Sequence, residues 1–174
     1  MITYEQAQYL LQLPKYILEN DMCVNTKVFS QVPVNERIYM VPESADEDYL
    51  FFLDINVSPK NSLKINFHYQ EDESSIGLLR IDYGGSHKNP EIVIDTIPEK
   101  FKSFAGQYIQ EDHIHYCIEG YKELAWAVPL SHDEFPVKKY STNNDLYNII
   151  ESIANLVNLK TKFNVQMSIN YDDK

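Results

Sequence analysis

The sequence predicts an α+β fold in which a mainly antiparallel sheet carries one helix from each end of the chain. Three observations predict it. The middle of the chain contains short segments with alternating apolar and polar residues, typical of half-buried strands. Residues near each end instead repeat their apolar positions at helical spacing. We therefore predict a single α+β domain over 1–174, with both helices packed on the sheet.

The N-terminal helical segment is predicted over 1–20. Thr3 and Gln6 have the form of a capping box, which starts a helix by satisfying free amide groups. Pro14 removes one helical hydrogen bond, so we expect a kink or a break there and a second short turn that reaches about Asn20.

Antiparallel strands are predicted over 27–130. The central hairpin has the clearest pattern, because 62–69 alternates strictly and 76–83 returns after a polar turn. The acidic segments 43–48 and 71–73 are interpreted as solvated turns. The other strands expected in this region are 37–41, 49–57, 92–94, 113–119 and 124–128.

The C-terminal part is predicted to add a helix and a closing strand. Leucine, isoleucine and valine residues form an apolar stripe over 143–160, and Asn143 or Asn144 can cap this helix. The last strand is expected over 163–169, and a single helical turn is expected earlier, over 100–105.

Charge limits the classes of function. The chain has 15 Lys plus Arg against 26 Asp plus Glu, a net charge of −11. Broad contact with nucleic-acid phosphates needs clustered basic residues, so no direct nucleic acid is expected, whereas a basic protein partner is permitted. No apolar run is long enough to span a membrane and no signal peptide is recognised. Two cysteines indicate a reducing cytosol, with Cys23 interpreted as a buried apolar residue.

The most informative chemical pattern is the pair His113 and His115. Side chains two apart on a strand share a face, so both imidazoles point the same way, together with Cys117 and Glu119. Imidazole, thiolate and carboxylate are all metal ligands. Residues two apart are separated by roughly 6.5–7 Å, so two neighbours can share an ion but His113 and Cys117 cannot without a bulge.

A second element must supply the remaining ligands, and the end of the central hairpin is the best candidate. Asp82 lies at the strand end, and the following Gly84-Gly85 allows a sharp turn toward His87. We predict one metal ion, zinc in the first instance, held by Asp82, His87, His113 and His115. Three alternatives to this ligand set stay open. Cys117 could replace His113 or Asp82 as a ligand, the residues could form a polar site without metal, or they could serve only in packing. His68 is a possible neighbour, and His132 is interpreted as solvated.

Nucleophilic catalysis has little support, because no Gly-x-Ser-x-Gly segment and no phosphate-binding loop is present. A ribonuclease site could be built from Arg80, His87, His113 and His115, since imidazoles transfer protons near neutral pH and arginine stabilises phosphoryl charge. Whether the protein is an enzyme is therefore left undecided, with the balance against it.

Several segments together resemble a little-characterised domain family of low-GC Gram-positive bacteria and of their phages and mobile elements. The resemblance extends over most of the chain and is carried by residues 78–82, 87–91, 113–116, 119–121 and 125–130.

Two functions are implied by resemblance. A small, acidic, metal-containing protein is similar to phage anti-CRISPR proteins that bind type II-A effector nucleases, which implies an inhibitor acting in the host bacterial cytosol with a structural metal. The order Arg-x-Asp, His, Asn-Pro-Glu and His-x-His is similar to that of some small toxins of toxin–antitoxin pairs. That second resemblance implies RNA cleavage with Arg80, Asp82, His87, His113 and His115 in the catalytic site. Inhibition by protein–protein binding is the leading expectation, because the negative charge favours a basic partner over RNA.

Overall fold

A computed structural model describes residues 2–29, 35–58 and 60–165 of the protein. Its helices are α1 (Tyr4–Gln12), α2 (Glu99–Lys102) and α3 (Asn143–Leu156), with a 3-10 turn at Leu130–His132. Its strands, in chain order, are β1 (Lys15–Glu19), β2 (Met22–Val24), β3 (Thr26–Phe29), β4 (Glu36–Pro42), β5 (Phe51–Ser58), β6 (Asn61–Glu71), β7 (Ile76–Tyr83), β8 (His87–Lys88), β9 (Tyr108–Ile109), β10 (His113–Tyr116), β11 (Trp126–Pro129) and β12 (Lys162–Val165).

Eight strands form one antiparallel sheet in the order β11-β10-β7-β6-β5-β4-β1-β2, which confirms the predicted α+β class. The central hairpin is β6 and β7, as the alternation predicted. β11 also pairs with β10 as predicted. Outside this sheet, β3 pairs in parallel with β12, and β8 pairs with β9.

The N-terminal helix is shorter than predicted. Thr3 and Gln6 form the capping box, with the Thr3 amide 2.8 Å from Gln6 Oε1. Pro14 breaks the helix, one of the two predicted outcomes, because the residue before a proline is forced into an extended conformation, here Leu13 at ψ 128°. The prediction of helix up to residue 20 is therefore wrong, since Lys15–Glu19 is a sheet strand.

The C-terminal helix begins at Asn143, as predicted, but its capping residue differs from the prediction. Thr142, not Asn143 or Asn144, is the cap, and its amide and hydroxyl donate to Asp145 Oδ2 at 2.8 and 3.1 Å. The helix ends at Leu156 instead of residue 160. The closing strand covers Lys162–Val165, and the rest of the predicted 163–169 lies outside the described residues.

The apolar side chains of one sheet face and of α1 and α3 form a single buried core. Lys15 lies inside it, fully buried, where its Nζ donates to the carbonyl oxygens of Leu11 (3.0 Å), Leu13 (2.6 Å) and Val157 (2.9 Å). These carbonyls lie at the C-terminal ends of α1 and α3, where the last turn of a helix leaves carbonyl groups without helical partners. Lys15 therefore joins the ends of α1 and α3, although burial lowers its pKa to about 7.

The segment between β7 and β10 differs in detail from the prediction. Residues 92–94 do not form a strand, because the Tyr121 hydroxyl accepts from the Ile94 amide (2.9 Å) and donates to the Ile92 carbonyl (2.7 Å). The helical turn predicted over 100–105 is α2, which begins at Glu99 and ends at Lys102.

The strand predicted over 113–119 ends at Tyr116. Beyond it, the Cys117 amide still donates to the Leu78 carbonyl at 3.3 Å, whereas the Gly77 amide of β7 donates to Glu123 Oε1 at 2.6 Å. The partner predicted over 124–128 likewise begins only at Trp126 and includes Pro129.

Two burial predictions are wrong. Cys23 is exposed, because β2 is the outermost strand of the sheet. Glu71, placed in a solvated turn by the sequence, is buried, and its carboxylate accepts from the amides of Glu73 (3.0 Å) and Ser74 (2.8 Å). The acidic segment 43–48 is mostly exposed, as expected. Within the described residues, no helix is long and apolar enough to cross a membrane.

Candidate metal centre

The candidate site lies on the sheet face opposite the core, where β7 and β10 run side by side. His113 is paired with Asp82 across the two strands, and His115 is paired with Arg80. Residues two apart on each strand share a face, so these four side chains form one polar patch. The sheet pairing thus brings together two predicted ligand groups that are about 30 positions apart in the sequence.

Three potential ligand atoms converge in this patch. The carboxylate oxygen Oδ2 of Asp82 lies 3.1 Å from Nε2 of His115 and 3.5 Å from Nε2 of His113. The three side chains are all buried. Together they form a group whose ligand atoms lie within 4.8 Å of one another.

Backbone carbonyls fix the orientation of both imidazoles. Nδ1 of His113 is 2.7 Å from the carbonyl oxygen of Glu111, and Nδ1 of His115 is 2.8 Å from that of Leu124. A carbonyl only accepts, so Nδ1 carries a proton in each ring, and Nε2 is the ring atom that presents either an N–H or a lone pair to Asp82. A hydrogen bond from Nδ1–H to a carbonyl is also what orients histidines that bind metals.

The three facing atoms need a proton or a metal ion between them, and Nε2 of His115 lies within hydrogen-bond distance of Asp82. Oδ2 of Asp82 and the two Nε2 atoms repel one another unless a proton or a metal ion lies among them. Nε2 of His113 is one of the few buried side-chain polar atoms, among the described residues, that has no hydrogen-bond partner. Its 3.5 Å separation from Asp82 exceeds a good hydrogen bond.

Two of the separations in this group are close to those of a tetrahedral zinc site. Zinc lies roughly 2.0–2.1 Å from nitrogen or oxygen ligands, so the ligand atoms of a tetrahedral site are about 3.3 Å apart. The two separations from Asp82 are on either side of that value, at 3.1 and 3.5 Å. The group of Asp82, His113 and His115 could therefore hold a metal ion.

Electrostatics keep Asp82 ionised. Burial alone would raise the pKa of its carboxyl, but His113, His115 and the Arg80 guanidinium act in the opposite direction and hold the pKa well below its usual range. Nε of Arg80 donates to Oδ1 at 2.9 Å, while Oδ2 faces the histidines. One carboxylate thus contacts the arginine and the candidate ion position through different oxygens.

His87 lies beside this group. Its ring centroid is 4.6 Å from that of His115 and 6.1 Å from that of His113. Nε2 of His87 is 2.8 Å from the Ala125 carbonyl, which leaves Nδ1 as its remaining ring nitrogen. Burial lowers the pKa of His87. Ligation by His87 stays a prediction, because its nitrogens are not in the group of atoms within 4.8 Å.

The other candidate residues occupy different surroundings. Cys117 lies beyond the end of β10 in the apolar core and is not a member of the group, so its role as a replacement ligand also stays a prediction. His68 is the cross-strand neighbour of Arg80, with Nε2 3.0 Å from Gln70 Oε1. His132 is exposed in the 3-10 turn, as expected.

Sequence reasoning missed the groups that support the histidines. The two supporting carbonyls belong to Glu111 and Leu124, and backbone carbonyls leave no signal in a sequence. Sequence reasoning also missed Asn89, which follows β8 and whose buried side chain holds this segment against β11. The adjacent Pro90 marks a turn but does not indicate that role.

Fold and site together define an α+β protein with a buried Asp-His-His group on its polar sheet face. The chain belongs to a family of unknown function, DUF6978, whose model matches residues 2–159. Neither a curated protein nor a solved structure matches the chain.

Proposed function

We propose that the protein binds one zinc ion through Asp82, His113 and His115 and uses it for hydrolysis. The observation that carries the proposal is the convergence of three potential ligand atoms. Oδ2 of Asp82 lies 3.1 Å from Nε2 of His115 and 3.5 Å from Nε2 of His113. Backbone carbonyls fix the orientation of both imidazole rings. This arrangement matches the distances and supporting hydrogen bonds of histidine–carboxylate zinc sites.

The ligand types favour a catalytic ion over a structural one. Structural zinc is usually held by four ligands rich in cysteine, whereas catalytic zinc has three histidine or carboxylate ligands and one open position. The group here contains one carboxylate, two imidazoles and no thiol. This reading differs from the structural metal implied by resemblance to inhibitors.

Each residue has a defined task in this proposal. His113 and His115 present neutral Nε2 atoms, and Asp82 supplies the negative charge that offsets part of the ion's charge. When bound, zinc makes water more acidic and polarises the bond under attack. In ester hydrolysis the water oxygen bonds to the acyl or phosphoryl centre, the ester bond breaks, and one water proton ends on the leaving oxygen.

Metal analysis of the purified protein tests the ion. We expect about one equivalent of zinc in the wild type, and a loss of most of it in Asp82→Asn, His113→Ala and His115→Ala. His132→Gln is the matched control, because this histidine is exposed and outside the group. Less than about a tenth of an equivalent of any transition metal in the wild type would exclude the metal centre.

Hydrolysis of p-nitrophenyl acetate by the zinc-loaded protein tests the use of the ion. We expect turnover that disappears with chelation and in Asp82→Asn but persists in His132→Gln. Full zinc content with no metal-dependent hydrolysis of this ester or of bis(p-nitrophenyl) phosphate would show a structural ion instead. A ribonuclease that uses the histidines without metal would cleave RNA in the presence of chelator.

A second candidate is inhibition of a type II-A CRISPR effector nuclease in the host cytosol. The net charge of −11 favours it, because a strongly acidic protein associates faster with a basic partner. The test is co-elution with a purified effector–guide complex on a sizing column, together with target cleavage. Unchanged elution with undiminished cleavage would remove this candidate.

A further inference from the structure

A cleft of about 600 Å³ opens beside the candidate metal centre. Its wall includes His115 of the metal group, Arg80, which contacts Asp82, and the adjacent His87. Residues from β6, from the loop of His87 and from the segment before β11 complete it. A molecule in this cleft would therefore lie next to the ion position.

The charge of the cleft is the reverse of the charge of the whole chain. Its charged lining residues are three basic ones, Arg80, Lys88 and Lys122, and one acidic one, Glu123. The chain as a whole has 26 acidic against 15 basic residues. A local excess of positive charge in so acidic a protein favours a negatively charged ligand at this position.

The four charged residues are not equally available to a ligand. Lys88 is engaged elsewhere, since its Nζ donates to the Gly106 carbonyl at 2.6 Å and lies 3.3 Å from Glu91. The Glu123 carboxylate accepts from the Gly77 amide at 2.6 Å, which holds it against the backbone of β7. Arg80 and the exposed Lys122 are the cations that remain for a ligand.

Arg80 is placed to act together with the ion. Its Nε donates to Oδ1 of Asp82, whose other oxygen belongs to the metal group. The Arg80 side chain is 43% exposed and lines the cleft, so its guanidinium has further N–H donors for a ligand. Arginine and a metal ion side by side form a clamp for phosphoryl oxygens.

We propose that this cleft binds a phosphodiester, whose non-bridging oxygens would contact Arg80 and a zinc ion held by Asp82, His113 and His115, with Lys122 attracting the charge at the rim. The proposal rests on the hydrolase proposed above and names its substrate class. A phosphodiester suits the site better than a neutral ester, because its two non-bridging oxygens share one negative charge and can be contacted by a metal ion and a guanidinium together. Water adds to phosphorus, one P–O ester bond breaks, and the leaving oxygen takes a water proton.

Charge reversal at Lys122 separates this substrate class from others. With zinc-loaded protein, we expect Lys122→Glu to lower kcat/KM for bis(p-nitrophenyl) phosphate about tenfold, mainly through KM, because it places a negative charge near an anion. Hydrolysis of neutral p-nitrophenyl acetate should change less than about twofold, since the rim charge does not attract an uncharged ester. Lys139→Glu is the matched control, because Lys139 is exposed and does not line the cleft.

The outcomes distinguish the two proposals. No zinc, or no hydrolysis of either ester, overturns the hydrolase itself. Zinc-dependent hydrolysis of the acetate but not of the phosphate leaves the hydrolase standing and overturns the phosphodiester cleft. Equal effects of Lys122→Glu on both esters, or no effect on either, also overturn the cleft.

The source of the diester is decided by comparing two natural substrates. A single-stranded RNA hexamer and cyclic AMP both carry a phosphodiester, so kcat/KM is measured for each with zinc-loaded wild type. The larger value assigns either an RNA strand or a small diester to the cleft. The Lys122→Glu variant must reduce the larger value as well.

Discussion

Asn89 is expected to be sensitive to substitution although it lies outside the metal group. Its side chain covers the open edge of β11, where Oδ1 accepts from the Ala127 amide at 2.9 Å and Nδ2 donates to the Ala127 carbonyl at 2.8 Å. Nδ2 also donates to the Phe104 carbonyl at 3.1 Å. An uncovered edge strand would leave these backbone groups unpaired.

The cost of Asn89→Ala follows from these three hydrogen bonds. Asn89 is only 1% exposed, so water does not readily replace its side chain. Each buried backbone group that loses its partner costs roughly 1 kcal/mol or more, which gives about 3 kcal/mol for the three. In a chain of this size each kcal/mol lowers Tm by roughly 2–4 °C, so we expect a fall of about 6–12 °C.

Thermal unfolding followed by circular dichroism measures this change. Asn56→Ala is the matched control, because Asn56 is an exposed strand asparagine whose Nδ2 donates only to Asn66 Oδ1, at 3.2 Å. We expect the control to shift Tm by no more than about 2 °C, as surface substitutions do. If Asn89→Ala lowers Tm no more than Asn56→Ala, the account of Asn89 as the cover of β11 is wrong.

Three other predictions follow from the site and the core. Free zinc at about 100 times its Kd should stabilise the wild type by roughly 2.7 kcal/mol, which corresponds to a rise in Tm of about 5–10 °C. The Tm of Asp82→Asn should not change. An equal rise in Tm in both proteins would contradict the metal site. Gly85→Ala should weaken zinc binding about tenfold in a chelator competition, because the new Cβ would lie 3.3 Å from Asp82 Cβ and 3.4 Å from His113 Cε1. An unchanged affinity for zinc would contradict this prediction. The pKa of Lys15 is about 7 in the folded protein against 10.5 ordinarily, so the unfolded chain binds more protons between these values and the free energy of unfolding should rise as pH increases from about 7 to about 10. Lys15→Met should remove that rise in urea unfolding, and identical pH slopes in the two proteins would contradict it.

The strands with the strictest alternation were predictable from the sequence because their pattern is local. In β6, Ile65 and Phe67 are buried while Lys64 is exposed, and this alternation alone predicts a half-buried strand. The errors lie where a tertiary contact decided the local structure. Lys15–Glu19 follows a helix-ending proline and becomes a strand because it pairs with β4, which sequence spacing does not reveal.

The sequence by itself determined the ligand types of the candidate site and the shared face of His113 and His115. It did so because a strand places residues two apart on the same side whatever its neighbours are. Only the tertiary structure decided that Asp82 joins them, since this depends on the pairing of β10 with β7. It also decided that Cys117 and Glu119 do not continue that face, because the strand ends at Tyr116.

The meaning of the negative charge likewise depended on the fold. The sequence determined a net charge of −11, which favours a basic partner over broad nucleic-acid binding. Folding alone placed Arg80 and Lys122 in one cleft beside the metal group, although they are far apart in the chain. Local field depends on which charges are near in space, and net charge depends only on their number, so the sequence could not predict a basic cleft in an acidic protein.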